Sequence, residues 1–263
     1  MRYDRIQQIK KLLLSKKRVL NSEICEMFNV SIETIRRDLD HLEKEGIIRK
    51  VYGGAVLVDD SLVPDSLEKW DVRYLENLEV KKTIASQTAA LIPDNCTVLL
   101  DTGTSAFEVA CQLKNRSSLT IVTNSLRIAT ELGMCRNLTV YCVGGIIKVD
   151  ELVTSGFLAS EFLSYFNHFD IAVLSADGFI PAEGTAEYSM EIAMLKKNML
   201  DKSDKIILAI DHTKFGISAN CITCPTGKIN TVVTDKDTPQ EAVAYLRKRG
   251  VNVIIADNVD DPK

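Results

Sequence analysis

Val30-Ser31-Ile32-Glu33-Thr34-Ile35-Arg36-Arg37-Asp38-Leu39-Asp40-His41-Leu42-Glu43-Lys44-Glu45-Gly46 decides how the first quarter of the chain folds. Ile32, Ile35, Leu39 and Leu42 recur at helical spacing, so the stretch predicts an amphipathic helix with that face turned inward. Ser31 is a helix-capping residue at its start, and Gly46 stands where a left-handed residue ends it. Ser31, Glu33, Thr34, Arg36 and Arg37 are then left facing outward in the first turns. Upstream, Asn21 is expected to cap a short helix with Ile24, Met27 and Phe28 inward, and Asn29-Val30 makes a tight break. Before it, Ile6, Ile9, Leu12 and Leu13 predict a helix from about Arg2 to Lys16. Downstream, Ile47 to Tyr52 alternates as a strand that Gly53-Gly54 turns into Ala55-Val56-Leu57. A short helix, a tight turn and a longer helix with polar residues crowded at its N-terminus is the helix-turn-helix layout, in which the start of the second helix meets base edges in the major groove. Arg36 and Arg37 carry forked donors for guanine or phosphate, and Ser31 and Thr34 are short enough for close contact. Arg49, Lys50 and Tyr52 on the hairpin are placed to touch the DNA backbone.

Charge supports a divided chain. Residues 1–56 hold 12 Lys/Arg against 8 Asp/Glu, a surplus of four positive charges. The other 207 residues hold 20 against 28, and the total is −4. A basic head on an acidic body is expected when one part alone touches phosphates. At 263 residues, 46% hydrophobic and 26% charged, the chain has the composition of a globular protein rather than a disordered, collagenous or coiled-coil one. Its apolar runs, such as Ile206 to Ile210, fall far short of the ~20 residues a membrane helix needs. Seven scattered cysteines point to a reduced, cytoplasmic setting.

Beyond a connection at 58–76, strand-like runs alternate with helical stretches: 97–100, 119–122, 138–143, 171–174, 206–210, 232–234 and 251–256 for the strands. That alternation predicts a parallel, doubly wound sheet over 77–263. Small and hydroxyl residues follow each strand: Asp101-Thr102-Gly103-Thr104-Ser105, Thr123-Asn124-Ser125, Gly144-Gly145, Asp177-Gly178 and Asp211 to Gly216. Ligands of open α/β sheets bind beyond the carboxyl ends of the strands. Helix starts there offer free N–H groups to an anion. Lys214 adds a charge, and Asp101 or Asp177 suits sugar hydroxyls. The expected ligand is small, phosphorylated and polyhydroxylated. Cys221-Ile222-Thr223-Cys224 is a lone pair with no second pair or nearby His, so no metal is expected.

The segment from Val30 to Leu39, with Leu42 to Gly46 and Tyr52-Gly53-Gly54-Ala55, resembles the signature of DeoR-type bacterial transcription regulators. Lys81 with Ile84-Ala85, the Asp101–Ser105 loop, Thr123 to Leu126, Gly144-Gly145 and Asp211 to Gly216 resemble that family's sensor domain, in the right order over nearly the whole chain. The resemblance implies a winged helix-turn-helix at 1–57, and a sensor related to ribose-5-phosphate isomerases that binds a phosphorylated sugar. It further implies repression of carbohydrate genes by a homodimer or homotetramer on a double-stranded operator. Tyr52 stands where His is more usual and Ser175 where the family often has Gly. Glu191 and Lys196 are one residue out of step with the family's acid–lysine spacing. The competing reading is a sugar-phosphate isomerase using Asp101, Asp177 or Glu191 as base. An isomerase has no need of a basic head, so neither catalytic residues nor a cofactor is expected.

Overall fold

The computed structural model describes residues 2–16, 18–51, 53–57, 70, 73–149 and 151–257. The chain forms two compact units, 1–73 and 74–263. Most of the expected connection, and Tyr52, lie outside the described residues.

In the first unit, α1 (Arg2–Lys16), α2 (Asn21–Phe28) and α3 (Ile32–Lys44) pack with strands β1 (Arg18–Leu20), β2 (Ile48–Val51) and β3 (Gly54–Leu57). The strands form one antiparallel sheet in the order β1-β3-β2. β1 was not expected: Val19 pairs with Ala55 and Leu20 with Gly54, which makes the two-stranded hairpin a three-stranded wing. Gly54 is required there, since a Cβ would lie 2.0 Å from the Val19 carbonyl oxygen. Ile6, Ile9, Leu13, Ile24, Ile35, Leu39, Leu42 and Ile48 form the core, each side chain contributing about 1.5–3 kcal/mol on full burial.

Three sequence-based expectations need correction here. Asn21 does not cap α2 but opens it. The capping position is Leu20, and the Asn21 amide donates to the Gly53 carbonyl at 2.9 Å. Met27 and Ile32 are exposed rather than inward, because each sits at the edge of its helix's apolar stripe. The inward face of α3 contains a carboxylate instead: Asp38, buried between Ile35 and Leu39, accepts from Arg5 Nε of α1 at 2.6 Å.

The second unit is built on a seven-stranded sheet. Its strands are β4 (Thr97–Leu100), β5 (Leu119–Thr123), β6 (Leu138–Cys142), β9 (Phe169–Leu174), β12 (Ser203–Ala209), β14 (Thr231–Asp235) and β15 (Asn252–Ala256). Every pairing is parallel, in the order β15-β14-β12-β9-β4-β5-β6. All seven match the expected runs within a few residues. Helices α4 (Leu78–Ala90), α5 (Thr104–Leu113) and α6 (Leu126–Gly133) cover one face. Helices α7 (Phe157–Ser164), α8 (Met190–Leu200) and α9 (Gln240–Lys248) cover the other. Val98 and Leu100 face the first core and Leu99 the second, which is why buried strands read as continuous apolar runs. The chain passes from β4 outward to β5 and β6, then returns to the other side of β4 as β9. That reversal is the switch point where open sheets form ligand crevices.

The sequence did not signal the short antiparallel strands. Hairpin β7–β8 (Ile146–Lys148, Val153–Ser155) follows β6, and β10 (Gly178–Ile180), β11 (Gly184–Glu187) and β13 (Cys221–Pro225) form a separate sheet. α8 accordingly begins at Met190, after β11. Cys224 is wholly buried in β13 and Cys221 nearly so, so the Cys-x-x-Cys segment is strand packing.

Candidate functional site

On the head, the Ser31 side chain caps α3 by accepting from the Thr34 amide, and its Oγ lies 3.0 Å from Thr34 Oγ1. Ser31, Glu33, Arg36 and Arg37 are exposed on the first turns of α3, and Thr34 is half-buried. Inward Ile35, Asp38 and Leu39 fix which way these side chains face, so the polar surface is set by the core behind it. Arg49 lies on β2, with its side chain outside the described residues, as is all of Tyr52. Lys50 is exposed and paired. Its ammonium is paired with Asp40 and with Glu43 Oε2, the latter at 3.1 Å, and its amide donates to Glu43 Oε1. Hydrogen bonds to these carboxylates raise the lysine's pKa and lower theirs. Lys50 therefore links the wing to α3.

In the second unit, the loops after β4, β5, β6, β9 and β12 all leave the same edge of a parallel sheet, so the expected residues gather at one end of it. Gly103 and Thr104 open α5, with Ser105 buried in its first turn. Gly103 has φ +100°, and a Cβ there would lie 2.6 Å from Ser175 Oγ. Glycine is thus demanded both by backbone conformation and by the close approach of the β4 and β9 loops. Thr123 Oγ1 accepts from the Ser125 amide, and Ser125 caps α6. Asn124 Nδ2 donates to the Thr154 carbonyl at 3.0 Å, while its buried Oδ1 has no partner among the described residues. Gly144 is open to solvent, and Gly145 closes against the Ser155 carbonyl. Gly178 packs on the Ile217 backbone, and Asp177 accepts from the Tyr188 amide at 3.0 Å. Lys214 is half-buried in a short turn that Asp211 caps. His212 Nδ1 lies 2.9 Å from Asp235 Oδ1. Lys81 is buried, and its Nζ donates to the Glu76 carbonyl at 2.6 Å.

The most concentrated charge at the switch point centres on the lysine whose spacing departs from the family's. Lys196 of α8 is almost wholly buried, with Nζ 2.7 Å from Asp101 Oδ2, 2.5 Å from Glu187 Oε1 and 3.0 Å from the Ser175 carbonyl oxygen. Asp101 also accepts from the Ser175 amide at 3.0 Å. Burial alone would push the Lys196 pKa down, but the two carboxylates outweigh it and hold the lysine as an ammonium. Glu187 is pushed up to about 8, chiefly by burial. Lys196 pulls it back, while Asp177 and Asp101 add to the rise. The acid–lysine spacing noted above is resolved by this geometry. The partner of Lys196 is Glu187 on β11, whereas Glu191 pairs with Lys148 on β7 at 2.5 Å. A signal existed in the sequence: Lys196 falls on the inward stripe of α8 with Ile192, Ala193, Leu195, Met199 and Leu200, where a lysine is costly unless paired.

Residues 76–236 match the DeoR C-terminal sensor domain and residues 5–61 the DeoR-like helix-turn-helix domain. The HTH-type transcriptional regulator GolR of Listeria innocua is 30% identical over 97% of this chain and 99% of its own. The transcriptional repressor AccR of Agrobacterium fabrum is 33% identical over 89% and 90%. The glycerol-3-phosphate regulon repressor of Escherichia coli is 30% identical over 87% and 88%. The chain belongs to the DeoR family of DNA-binding transcriptional regulators. Among solved structures, ribose 5-phosphate isomerase A from Neisseria gonorrhoeae aligns at TM-score 0.40, with 15% identity over 52% of this chain and 53% of that one. The full-length sorbitol operon regulator SorC from Klebsiella pneumoniae aligns at 0.42, with 10% identity over 92% and 97%. No helix among the described residues is long and apolar enough to cross a membrane.

Proposed function

We propose that this protein is a repressor of carbohydrate-metabolism genes whose hold on its operator is set by a phosphorylated sugar. The observation that carries the reading is the pairing, in one chain, of the capped α3 with its outward Arg36 and Arg37 and a parallel sheet whose switch point lies beside the starts of α5 and α6. Ser31, Glu33, Thr34, Arg36 and Arg37 read the major groove, Arg49 and Tyr52 lie beside it, and Lys50 acts through its hold on α3. Backbone N–H groups at Gly103–Ser105 receive the phosphate, with Asn124 and Ser125 beside them and Lys214 and Lys81 as further cationic side chains at this end of the sheet. Asp101, Asp177, Thr123, Gly144, Gly145 and Gly178 complete the crevice around the sugar. Two copies or more bring two α3 helices to successive half-sites, and the sugar shifts the balance between arrangements of the heads by binding one of them better.

We read the crevice as a sensor rather than a catalyst, because Asp101 and Glu187, the carboxylates nearest the switch point, are held by Lys196 instead of standing free as bases. The test is fluorescence anisotropy of the full-length protein on DNA from its own upstream region, at about 150 mM salt to keep non-specific binding weak. Unrelated DNA competes while phosphorylated sugars are titrated in. Competitor-resistant binding altered by one sugar phosphate is expected. Binding no tighter than to unrelated DNA, or turnover of a sugar phosphate by the purified protein, would overturn the reading.

A further inference from the structure

We propose that the outer face formed by β6, the β7–β8 hairpin and α7 is the surface on which a second copy of this chain docks, with the hairpin linking that interface to the effector crevice. β6 ends the seven-stranded sheet, and its outer edge is paired with no strand among the described residues. Beside it stands an apolar surface that the protomer leaves open. Phe157 is 78% exposed, Tyr165 82% and Ile146 71%, and Ile147, Leu158 and Tyr141 are also exposed. Two contacts tie β6 and β7 to the ends of α7. Tyr141 packs edge-on against Phe166 at 5.5 Å between ring centroids, and a Cβ on Gly156, next to Phe157, would lie 3.6 Å from Ile146 Cδ1.

Three observations favour a second copy as the occupant. With aromatic side chains burying ~150–250 Å² each, the six together offer on the order of 800 Å², the share one partner gives to a standard-size interface. From Leu138 to Ile147 the chain has no charged residue, and Glu161 is the sole one from Phe157 to Tyr165. Charge is depleted at the core of protein interfaces. An unpaired sheet edge also finds a matching run of donors and acceptors in its own copy across a twofold axis.

The hairpin also reaches the crevice. The Thr154 amide donates to the Asn124 carbonyl, Asn124 Nδ2 donates back to the Thr154 carbonyl, and the Leu126 amide donates to Leu152. Lys148 bonds Ser189 Oγ and Glu191 at the start of α8. A ligand that engages the loop after β5 therefore pulls on the element that presents Ile146 and Ile147 to the partner. The inference rests on the proposed function for its purpose, the pairing of two heads, but its test is independent of the ligand.

The test is sedimentation velocity of the full-length protein at micromolar concentration, with far-UV circular dichroism as the check of fold. Wild type is expected to sediment as a dimer or larger. Phe157→Glu and, separately, Ile146→Lys should each yield monomers of unchanged helicity, whereas Met194→Glu, at an exposed position of α8, should leave the assembly intact. Operator affinity of the two monomeric variants should fall more than tenfold. A monomeric wild type, or both variants sedimenting with wild type, would overturn the proposal and leave the face to another partner. If the variants dissociate but the wild type ignores its own upstream DNA and every phosphorylated sugar, the docking surface stands and the proposed function fails.

Discussion

The ammonium of Lys196 sits 2.7 Å from the carboxylate of Asp101, joining α8 to the end of β4 across the point where the sheet reverses direction. Glu187 bonds the same ammonium, so one lysine serves two carboxyl groups that have little access to water. Lys196→Met should destabilise the sensor unit by about 3–5 kcal/mol, the usual result of leaving a buried charge without its partner. Urea unfolding followed through the second unit measures it, and a loss under about 1 kcal/mol would show that water reaches the carboxylates.

Glu187 gives the sensor a pH dependence of definite sign. Its pKa is raised by burial to about 8 in the folded protein and returns to about 4.3 in the unfolded chain. Between those values the folded state binds more protons, so stability falls as pH rises through that window. Thermal unfolding at pH 5, 7 and 9 should show wild type losing stability faster than Glu187→Gln. Parallel curves for the two proteins would mean that Glu187 is ionised throughout.

Gly103 is held at φ +100° with Ser175 Oγ against its α-carbon. Gly103→Ala should cost about 1–3 kcal/mol from backbone strain, plus the clash. Adding Ser175→Gly should recover the steric part and leave the strain. A double variant no more stable than Gly103→Ala would show that the loops after β4 and β9 part easily.

On the head, Arg37→Ala should weaken operator binding and reduce the salt slope by about one, as loss of a phosphate contact does. If Arg37 reads a base instead, its loss should relax specificity at one position. Lys50→Ala should have a smaller effect on affinity, because Asp40 and Glu43 already hold that ammonium. Equal losses from the two substitutions in anisotropy titrations would mean that Lys50 leaves its carboxylates on DNA.

Asp38 is the buried acid of the head, bonded to Arg5. Asp38→Ala leaves Arg5 without this partner and removes the pairing that fixes α1 to α3. The expected result is faster amide hydrogen exchange in α1 and α3 and loss of operator binding, with the second unit unaffected. Unchanged exchange in α1 would show that the apolar core alone sets its position.

The head and the parallel sheet were legible in the sequence because both are written in local periodicity. Ile32 to Leu42 at helical spacing after Ser31, and seven apolar runs, five of them followed by small polar residues, follow from burial of one face or two. What periodicity could not supply was partners distant along the chain. β1 is three residues long and exists because Val19 finds Ala55. Met27 and Ile32 fit a helical stripe but lie at its edge, a matter of where neighbouring helices stop. The pairing of Lys50 with Asp40 and Glu43 likewise shows only once α3 stands beside the wing.

Composition, spacing and capping residues by themselves determined that this chain has a helix-turn-helix head, a doubly wound sheet, and a row of polar loops at the ends of its strands. Only the tertiary structure decided how the charges at the switch point are matched. Lys196, Glu187 and Asp101 come from a helix, a short antiparallel strand and a central parallel strand. The apolar stripe of α8 marks Lys196 for burial, but nothing local to it names Glu187 and Asp101 as its partners. The reason is physical: an apolar stripe is favourable to bury wherever it packs, whereas a buried ammonium is tolerated only where the finished fold delivers carboxylates to within hydrogen-bond distance.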